Sequence, residues 1–405
     1  MRRWWTVACV AGLLGTAAQA ARVQLGVERF VELYRDSLRS RSLAVLTHAA
    51  ARLPDGRLSL ELLRQYFRIV AVWAPEHGFW GTAAAGSPVP DDTLMGLPLY
   101  SLYGPRRRPS ERLLRGVDAV VVELQDVGIR PYTYVSTLAV VMEACAQSGI
   151  PLYVLDRPNP LGGSIVEGAV LDTAFRSFVG MLPIPYRHGC TLGELAVMLN
   201  AEGWLPAVAG RRCSLTVVPM RGWRRTMTWE ETGLPWFPPS PNLPTPTAVR
   251  AAVITGVLGE MGLWSIGIGT PTPFQLLGAP EFPAEVLAER LRGVLSRLGV
   301  RVGVTHFVPL YGRYAKQLCR GIFFVPEARH DVPLFAAFLH LAEALQDVLP
   351  GFCREMAPNS WTMLQTVLGS RAFAEALCRG ETLGAWLSIG VESFRQRRQG
   401  YLLYG

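Results

Sequence analysis

Glu76 and His77 stand side by side in the run Trp73-Ala-Pro-Glu-His-Gly-Phe-Trp-Gly81, directly after the apolar stretch 68–73. A carboxyl beside an imidazole is equipped for acid–base chemistry, in which a positioned group gives or takes a proton at a reacting bond. The same tetrapeptide can also be a polar turn in which Gly78 supplies an unusual backbone angle, so its surroundings must decide. Three more polar clusters, Thr47-His48, Gln125-Asp126 and Asp156-Arg157, each follow an apolar run of strand length.

The elements that would position these clusters alternate. Strands are expected over residues 43–47, 69–73, 119–124, 152–155 and 215–218, and helices over 27–38, 58–67, 136–147 and 191–201. Strand–helix alternation predicts an α/β fold with a mostly parallel sheet covered by helices on both faces. All four clusters then fall at carboxyl ends of strands, where open α/β sheets bind ligands. After residue 250 the pattern becomes mixed, with strands expected over 301–307 and 321–325 and helices over 283–298, 334–349 and 373–379. This reads as a smaller α+β C-terminal domain over the strand ends, giving a division into a leader 1–20, a first domain 21–247 and a second domain 248–405. Between 226 and 247 lies a Pro- and Trp-rich stretch that must be a long ordered loop or a domain joint. Trp223, Trp229 and Trp236 lie in or near it, and aromatic faces suit sugar rings.

Composition narrows the chemistry. Half of the 405 residues are hydrophobic and 18% are charged, which describes a folded chain. No G-x-G-x-x-G follows the first strand and no G-x-x-x-x-G-K-[ST] occurs, so neither a dinucleotide nor ATP is expected, and no other cofactor. Cysteines 145, 190, 213, 319, 353 and 378 are dispersed without zinc spacing, so no metal is expected either; most read as core thiols, and spacing does not say which pair. The net charge of +8 comes from arginine runs such as 106–108 without interleaved aromatics. That pattern argues against nucleic acid and suits an anionic envelope polymer or a membrane surface. Arg2 and Arg3, the apolar stretch 4–16 and Ala18-Gln-Ala20 form a secretory leader, with cleavage expected after Ala20. The mature chain, without a membrane span, is expected in a periplasm or outside the cell.

With these motifs in place, the chain resembles the exo-β-N-acetylmuramidases of the NamZ type, formerly a domain of unknown function. The matching segments are Ala74-Pro-Glu-His-Gly-Phe79, Gly96-Leu-Pro-Leu-Tyr-Ser-Leu-Tyr-Gly104, Gln125-Asp-Val-Gly-Ile-Arg-Pro-Tyr-Thr-Tyr134, Leu155-Asp-Arg-Pro-Asn-Pro-Leu-Gly-Gly163, Arg187-His-Gly189, Gly233-Leu-Pro-Trp236 and Pro238-Pro-Ser-Pro-Asn242. The resemblance implies a Rossmann-like domain joined to a smaller one, with the active site between them. It also implies removal of terminal N-acetylmuramic acid from the non-reducing end of peptidoglycan fragments, and a catalytic role for Glu76.

Glycoside hydrolysis needs a carboxylic acid to protonate the leaving oxygen, and an aromatic pocket between Trp73 and Trp80 would favour the protonated form of Glu76. Glu76 is the expected general acid, with His77 beside it. Asp126 ranks first as the second group, orienting the sugar's own N-acetyl group if that group attacks; pairing with Arg130 or Arg157 is its structural alternative. The lactyl carboxylate of muramic acid calls for a guanidinium, and Arg130, Arg157 and Arg187 are the candidates. Tyr132, Tyr134, Asp156, Asn159, His188 and Asn242 complete the expected substrate contacts.

One segment departs from the family pattern. In Met261-Gly-Leu-Trp-Ser-Ile-Gly-Ile-Gly-Thr-Pro-Thr-Pro-Phe-Gln275, Ile268 and Thr272 stand where arginines are expected, and Gln275 stands for a glutamate. That loss of charge motivates a second reading, a non-catalytic peptidoglycan- or envelope-binding protein on the same fold. An esterase or amidase with His77 or His188 as base is a weaker third, since no G-x-S-x-G elbow occurs.

Overall fold

The computed structural model describes residues 22–205, 208 and 210–405. The expected leader lies outside them. The first part runs α1 (Gly26–Tyr34), β1 (Ser42–Thr47), α2 (Ser59–Tyr66), β2 (Arg68–Ala74), β3 (Asp92–Leu94), β4 (Leu97–Ser101), α3 (Glu111–Leu114), β5 (Ala119–Glu123), α4 (Tyr134–Ser148), β6 (Leu152–Leu155), α5 (Leu192–Ala201) and β7 (Leu215–Val218). These strands form one sheet in the order β3-β4-β2-β1-β5-β6-β7, parallel except for β3 against β4. Counting parallel strands alone, the order is 3-2-1-4-5-6, that of a doubly wound Rossmann-type sheet, with its switch point between β1 and β5.

Strand β1 is buried along its whole length, as helices on both faces require. Its alternate residues feed opposite cores: Ala44 and Leu46 pack with α4 and α5, Leu43 and Val45 with α1 and α2. Local signals set the helix ends. Thr191 caps α5 by accepting the Glu194 N–H at 3.2 Å, while the Glu194 carboxylate accepts the Thr191 N–H at 3.0 Å. Gly149, at φ 68°, closes α4 in the left-handed region.

The expected strands and helices of this part are present, with ends moved by a few residues. The β3–β4 hairpin was not anticipated. Its two-residue turn, Met95-Gly96, has both φ values positive, the geometry of a type I′ hairpin turn built without the usual Asn-Gly signal.

The second, smaller domain contains α6 (Pro246–Glu260), β8 (Leu276–Ala279), α7 (Ala284–Arg297), β9 (Val300–Phe307), β10 (Cys319–Pro326), α8 (Leu334–Val348), α9 (Pro358–Leu368), α10 (Arg371–Arg379) and α11 (Val391–Arg398). Its sheet, β8-β10-β9, is antiparallel. Helix α6 escapes a periodicity reading because it is apolar nearly all round, with Ala248, Val249, Val253, Ile254 and Val257 all buried. Thr245 caps it by accepting the Ala248 N–H at 3.1 Å, and Pro246 occupies the first turn. A disulfide joins Cys353 to Cys378, and Cys145, Cys190, Cys213 and Cys319 are buried free thiols. No described helix is long and apolar enough to cross a membrane.

The end of the chain leaves the second domain and returns to the first. Val391 and Phe394 join the core under α4 and α5, the Leu403 N–H donates to Glu194 at 2.9 Å, and the Tyr404 hydroxyl donates to Asp156 at 2.6 Å. On the same side α1 begins at Gly26, whose N–H donates to the Asp156 carbonyl at 3.0 Å. A Cβ there would stand 2.3 Å from the Asp156 nitrogen and 2.6 Å from the Val218 oxygen, both backbone atoms. Gly26→Ala is expected to cost on the order of 3 kcal/mol by overpacking, read as a lower urea midpoint with an unchanged slope.

Candidate active site

Between the carboxyl ends of the parallel strands and the second domain lies a cavity of ≈ 180 Å³. The turn after β2 supplies Glu76, His77 and Ala85; the segment after β5 supplies Ile129, Pro131, Tyr132 and Thr133; the Pro-rich loop supplies Ser240, Asn242 and Leu243. Helix α6 closes the far side with Ala252, Gly256 and Glu260, joined by Phe274 and Val367.

Glu76 is buried and anchored at both oxygens. Oε1 accepts the Gly86 N–H at 2.8 Å and Oε2 accepts the Thr133 hydroxyl at 2.6 Å. The buried Tyr103 hydroxyl is a further neighbour, and its pKa is raised, first by burial and then by the Glu76 charge. The backbone that presents Glu76 is strained: His77 has φ 70° and Gly78 φ 73°. Two successive left-handed residues turn the chain sharply, and only the second is a glycine. The His77 Nδ1–H donates to the Ala83 carbonyl at 2.8 Å, which holds the loop leading to the Gly86 N–H. The aromatic pocket expected around Glu76 does not form. Trp73 is buried in the sheet core, and Trp80 is 56% exposed, edge-on to Phe79.

A second layer fixes the roof. His48 Nε2 accepts the Gln125 N–H at 3.0 Å, its Nδ1–H faces the Tyr134 hydroxyl at 3.2 Å, and that hydroxyl donates to the Pro239 carbonyl at 3.0 Å. The Tyr132 hydroxyl donates to the same carbonyl at 3.1 Å. Burial, then the charge of Arg157, lowers the His48 pKa to about 3, so this relay works with a neutral imidazole. Three of the four strand-end clusters touch at one sheet edge, where His48 contacts Gln125 and the Arg157 guanidinium donates to Glu123 at 2.6 Å and Gln125 at 3.0 Å, and the fourth lies near enough for the His77 charge to act on His48.

Four of the expected residues line the cavity: Glu76, His77, Tyr132 and Asn242. The others support it. Arg130 donates to the carbonyls of Ala169, Ile184, Val367 and Leu368 at 2.8–2.9 Å. Arg187 is held by Glu167 and by the Leu161 and Val332 carbonyls. Arg157 also reaches the Arg52 carbonyl. All three guanidiniums are buried in internal bonds, so recognition of a substrate carboxylate is not assigned to them. Asp156 accepts from the Thr191 hydroxyl, the Gly193 N–H and the Tyr404 hydroxyl. Asn159 donates to the Cys190 carbonyl and caps the Leu161 N–H.

Asp126 likewise lies outside the cavity lining, and it pairs with neither Arg130 nor Arg157. Oδ2 accepts the Gly128 N–H at 2.8 Å and lies 3.8 Å from His188 Nε2, while Oδ1 and that nitrogen have no other partner. Burial raises the Asp126 pKa to about 7. Burial and the charges of Arg398, Arg130 and Arg187 lower that of His188 to about 3, so His188 is neutral.

The sequence reading missed Thr133, Ser240 and Glu260. Glu260 had a signal: it is an acid at the last position of a helix, against the dipole, with no basic residue in that turn. Glu260 lines the cavity with its side chain exposed to solvent; its pKa is raised, first by partial loss of water around the carboxyl and then by the Glu76 charge. Immediately after it, the divergent segment 261–275 gives the cavity one side chain, Phe274, and no charge.

Fold and cavity define an α/β protein with a carboxyl-based site in the crevice outside its parallel strand ends. Family models carry the comparison further: exo-β-N-acetylmuramidase NamZ, N-terminal, matches residues 43–247, and exo-β-N-acetylmuramidase NamZ, C-terminal, matches 254–404. The chain therefore belongs to the NamZ family of exo-β-N-acetylmuramidases. It is 33% identical over 399 residues to the peptidoglycan β-N-acetylmuramidase NamZ of Bacillus subtilis (strain 168), covering 96% of this chain and 92% of that protein. Two crystal structures of DUF1343 family proteins from Bacteroides fragilis NCTC 9343 are similar along 95% of this chain and 99% of theirs. One has TM-score 0.85 at 33% identity and the other 0.75 at 29%.

The Asp126 environment makes stability depend on pH. Its folded pKa of about 7 lies above the unfolded value of 3.8, so its contribution is fully present below about pH 4 and is lost as pH rises toward 7. In Asp126→Asn that loss is absent. Thermal melts from pH 4.5 to 8 are expected to show the variant gaining on the wild type as pH rises.

Proposed function

We propose that this chain is an exported exo-β-N-acetylmuramidase that hydrolyses the bond of a terminal, non-reducing N-acetylmuramic acid in peptidoglycan fragments. The observation that carries the reading is Glu76, held at both oxygens on the wall of a cavity in the crevice where doubly wound folds place their ligands. Family membership supplies the substrate class. At ≈ 180 Å³ the cavity is below the roughly 300–1,000 Å³ of pockets that take drug-sized ligands. That size suits one terminal sugar better than an internal stretch of polymer. Glu76 is the essential catalytic carboxyl, Thr133 and His77 position it, and Ser240 and Asn242 offer polar contacts to the ring.

Export rests on the leader read at residues 1–20, and the Cys353–Cys378 disulfide fits an oxidising compartment. N-terminal sequencing of the protein from the periplasm or medium is expected to begin at Ala21.

The purified mature protein is expected to release N-acetylmuramic acid from a chromogenic N-acetylmuramide. Glu76→Gln is expected to lower kcat by about 10³-fold or more while keeping the wild-type melting curve. Full activity in that variant sinks the role of Glu76. The uncharged wall at 261–275 favours the second reading, a binding protein. Titration with muramic acid-containing fragments separates the two, since tight binding without product leaves only the module.

A further inference from the structure

Two carboxyls line the cavity, and their surroundings differ. Glu76, from the turn after β2, is met by donors: the Gly86 N–H at 2.8 Å and the Thr133 hydroxyl at 2.6 Å. Those contacts suit an ionised carboxylate. Glu260 comes from the opposite wall, at the last position of α6. The carbonyl end of a helix disfavours negative charge, and Glu76 adds a like charge. Among the described residues, no lysine or arginine lines the cavity. Where two carboxyls face one site with such unequal support, the one without donors is the better placed to carry a proton.

We infer that Glu260 is the general acid of the proposed reaction and Glu76 its ionised partner, an assignment that rests on the glycosidase reading above. The role expected of Glu76 from the sequence thus passes to a residue on the other domain. Glu260 is exposed to solvent within the cavity, and the upward direction of its pKa, from partial loss of water and then from the Glu76 charge, accords with this division.

In the reaction, the Glu260 O–H bond breaks as its proton bonds to the glycosidic oxygen. The bond from that oxygen to the anomeric carbon breaks, and its electron pair stays on the oxygen. A water oxygen supplies the electron pair of the new bond to the anomeric carbon, and one water proton passes to Glu76. The products are N-acetylmuramic acid and the free hydroxyl of the next sugar. The proton on Glu76 then returns to Glu260, directly or through water, restoring the resting pair. The other titratable groups facing this space are His77, Tyr132 and Tyr186.

Leaving-group dependence tests the assignment. A dinitrophenolate departs without a proton, whereas a sugar alkoxide needs one. Glu260→Gln is expected to lose about 10³-fold in kcat on N-acetylmuramyl-N-acetylglucosamine but less than about tenfold on dinitrophenyl N-acetylmuramide, and to lose the alkaline limb of the pH–rate profile. Glu76→Gln is expected to lose activity on both substrates. Equal loss on the two substrates in Glu260→Gln, or the leaving-group-selective pattern in Glu76→Gln instead, overturns the assignment and leaves the glycosidase reading standing. A wild-type protein that cleaves neither substrate overturns that reading, and this one with it. Melting curves matching the wild type show that each variant is folded.

Discussion

Everything at the cavity depends on how two domains are held at a fixed separation, and buried guanidinium groups do this. Arg130, at the mouth of α4, points its donors at two carbonyls of its own domain and at the last two carbonyls of α9. A cation at a helix C-terminus meets unpaired acceptors and the negative end of the dipole together. Burial lowers its pKa to about 10, which still leaves it charged. Arg187 repeats the device, joining Glu167 to the Val332 carbonyl ahead of α8. Removing either side chain would strand several buried acceptors, each costing about 1–3 kcal/mol. The arginines expected to greet a substrate instead set the width of its chamber.

This explains which parts of the site could be read in the sequence. Glu76 was legible because a polar pair after an apolar run marks a strand end, and parallel sheets collect such ends at one edge. The β–α alternation carried the doubly wound topology for the same reason. Asp126, Arg130 and Arg157 sit in motifs of the same kind as that of Glu76, yet motif membership does not tell a residue that lines the cavity from one that braces it. That difference is set by direction and burial. Thr133, the residue before α4, carries no mark in the sequence that its hydroxyl meets Glu76, a contact across 57 positions that only the fold creates.

Glu260 was hidden for another reason. It ends a helix that carries no amphipathic stripe, because α6 is packed on nearly every side between the second domain's sheet and the cavity. Periodicity finds helices that face water, and α6 does not. The hairpin β3–β4 was missed through its turn, where Met95 takes a left-handed conformation that a non-glycine residue rarely adopts. In both places tertiary packing overrode a weak local preference.

The bond from the Tyr404 hydroxyl to Asp156 reaches across 248 positions of sequence. Together with the Leu403 N–H on Glu194, it means that the strand ends of the first domain are completed by the last residues of the second. A fragment stopped at residue 247 would therefore be unfinished: Asp156 would lose a donor, and the face against Val391 and Phe394 would be bare. Completing that end of the sheet closes a loop spanning 248 positions, an entropic cost that only the full-length chain meets. The two domains are thus finished together, and the chamber between them is a property of the whole chain.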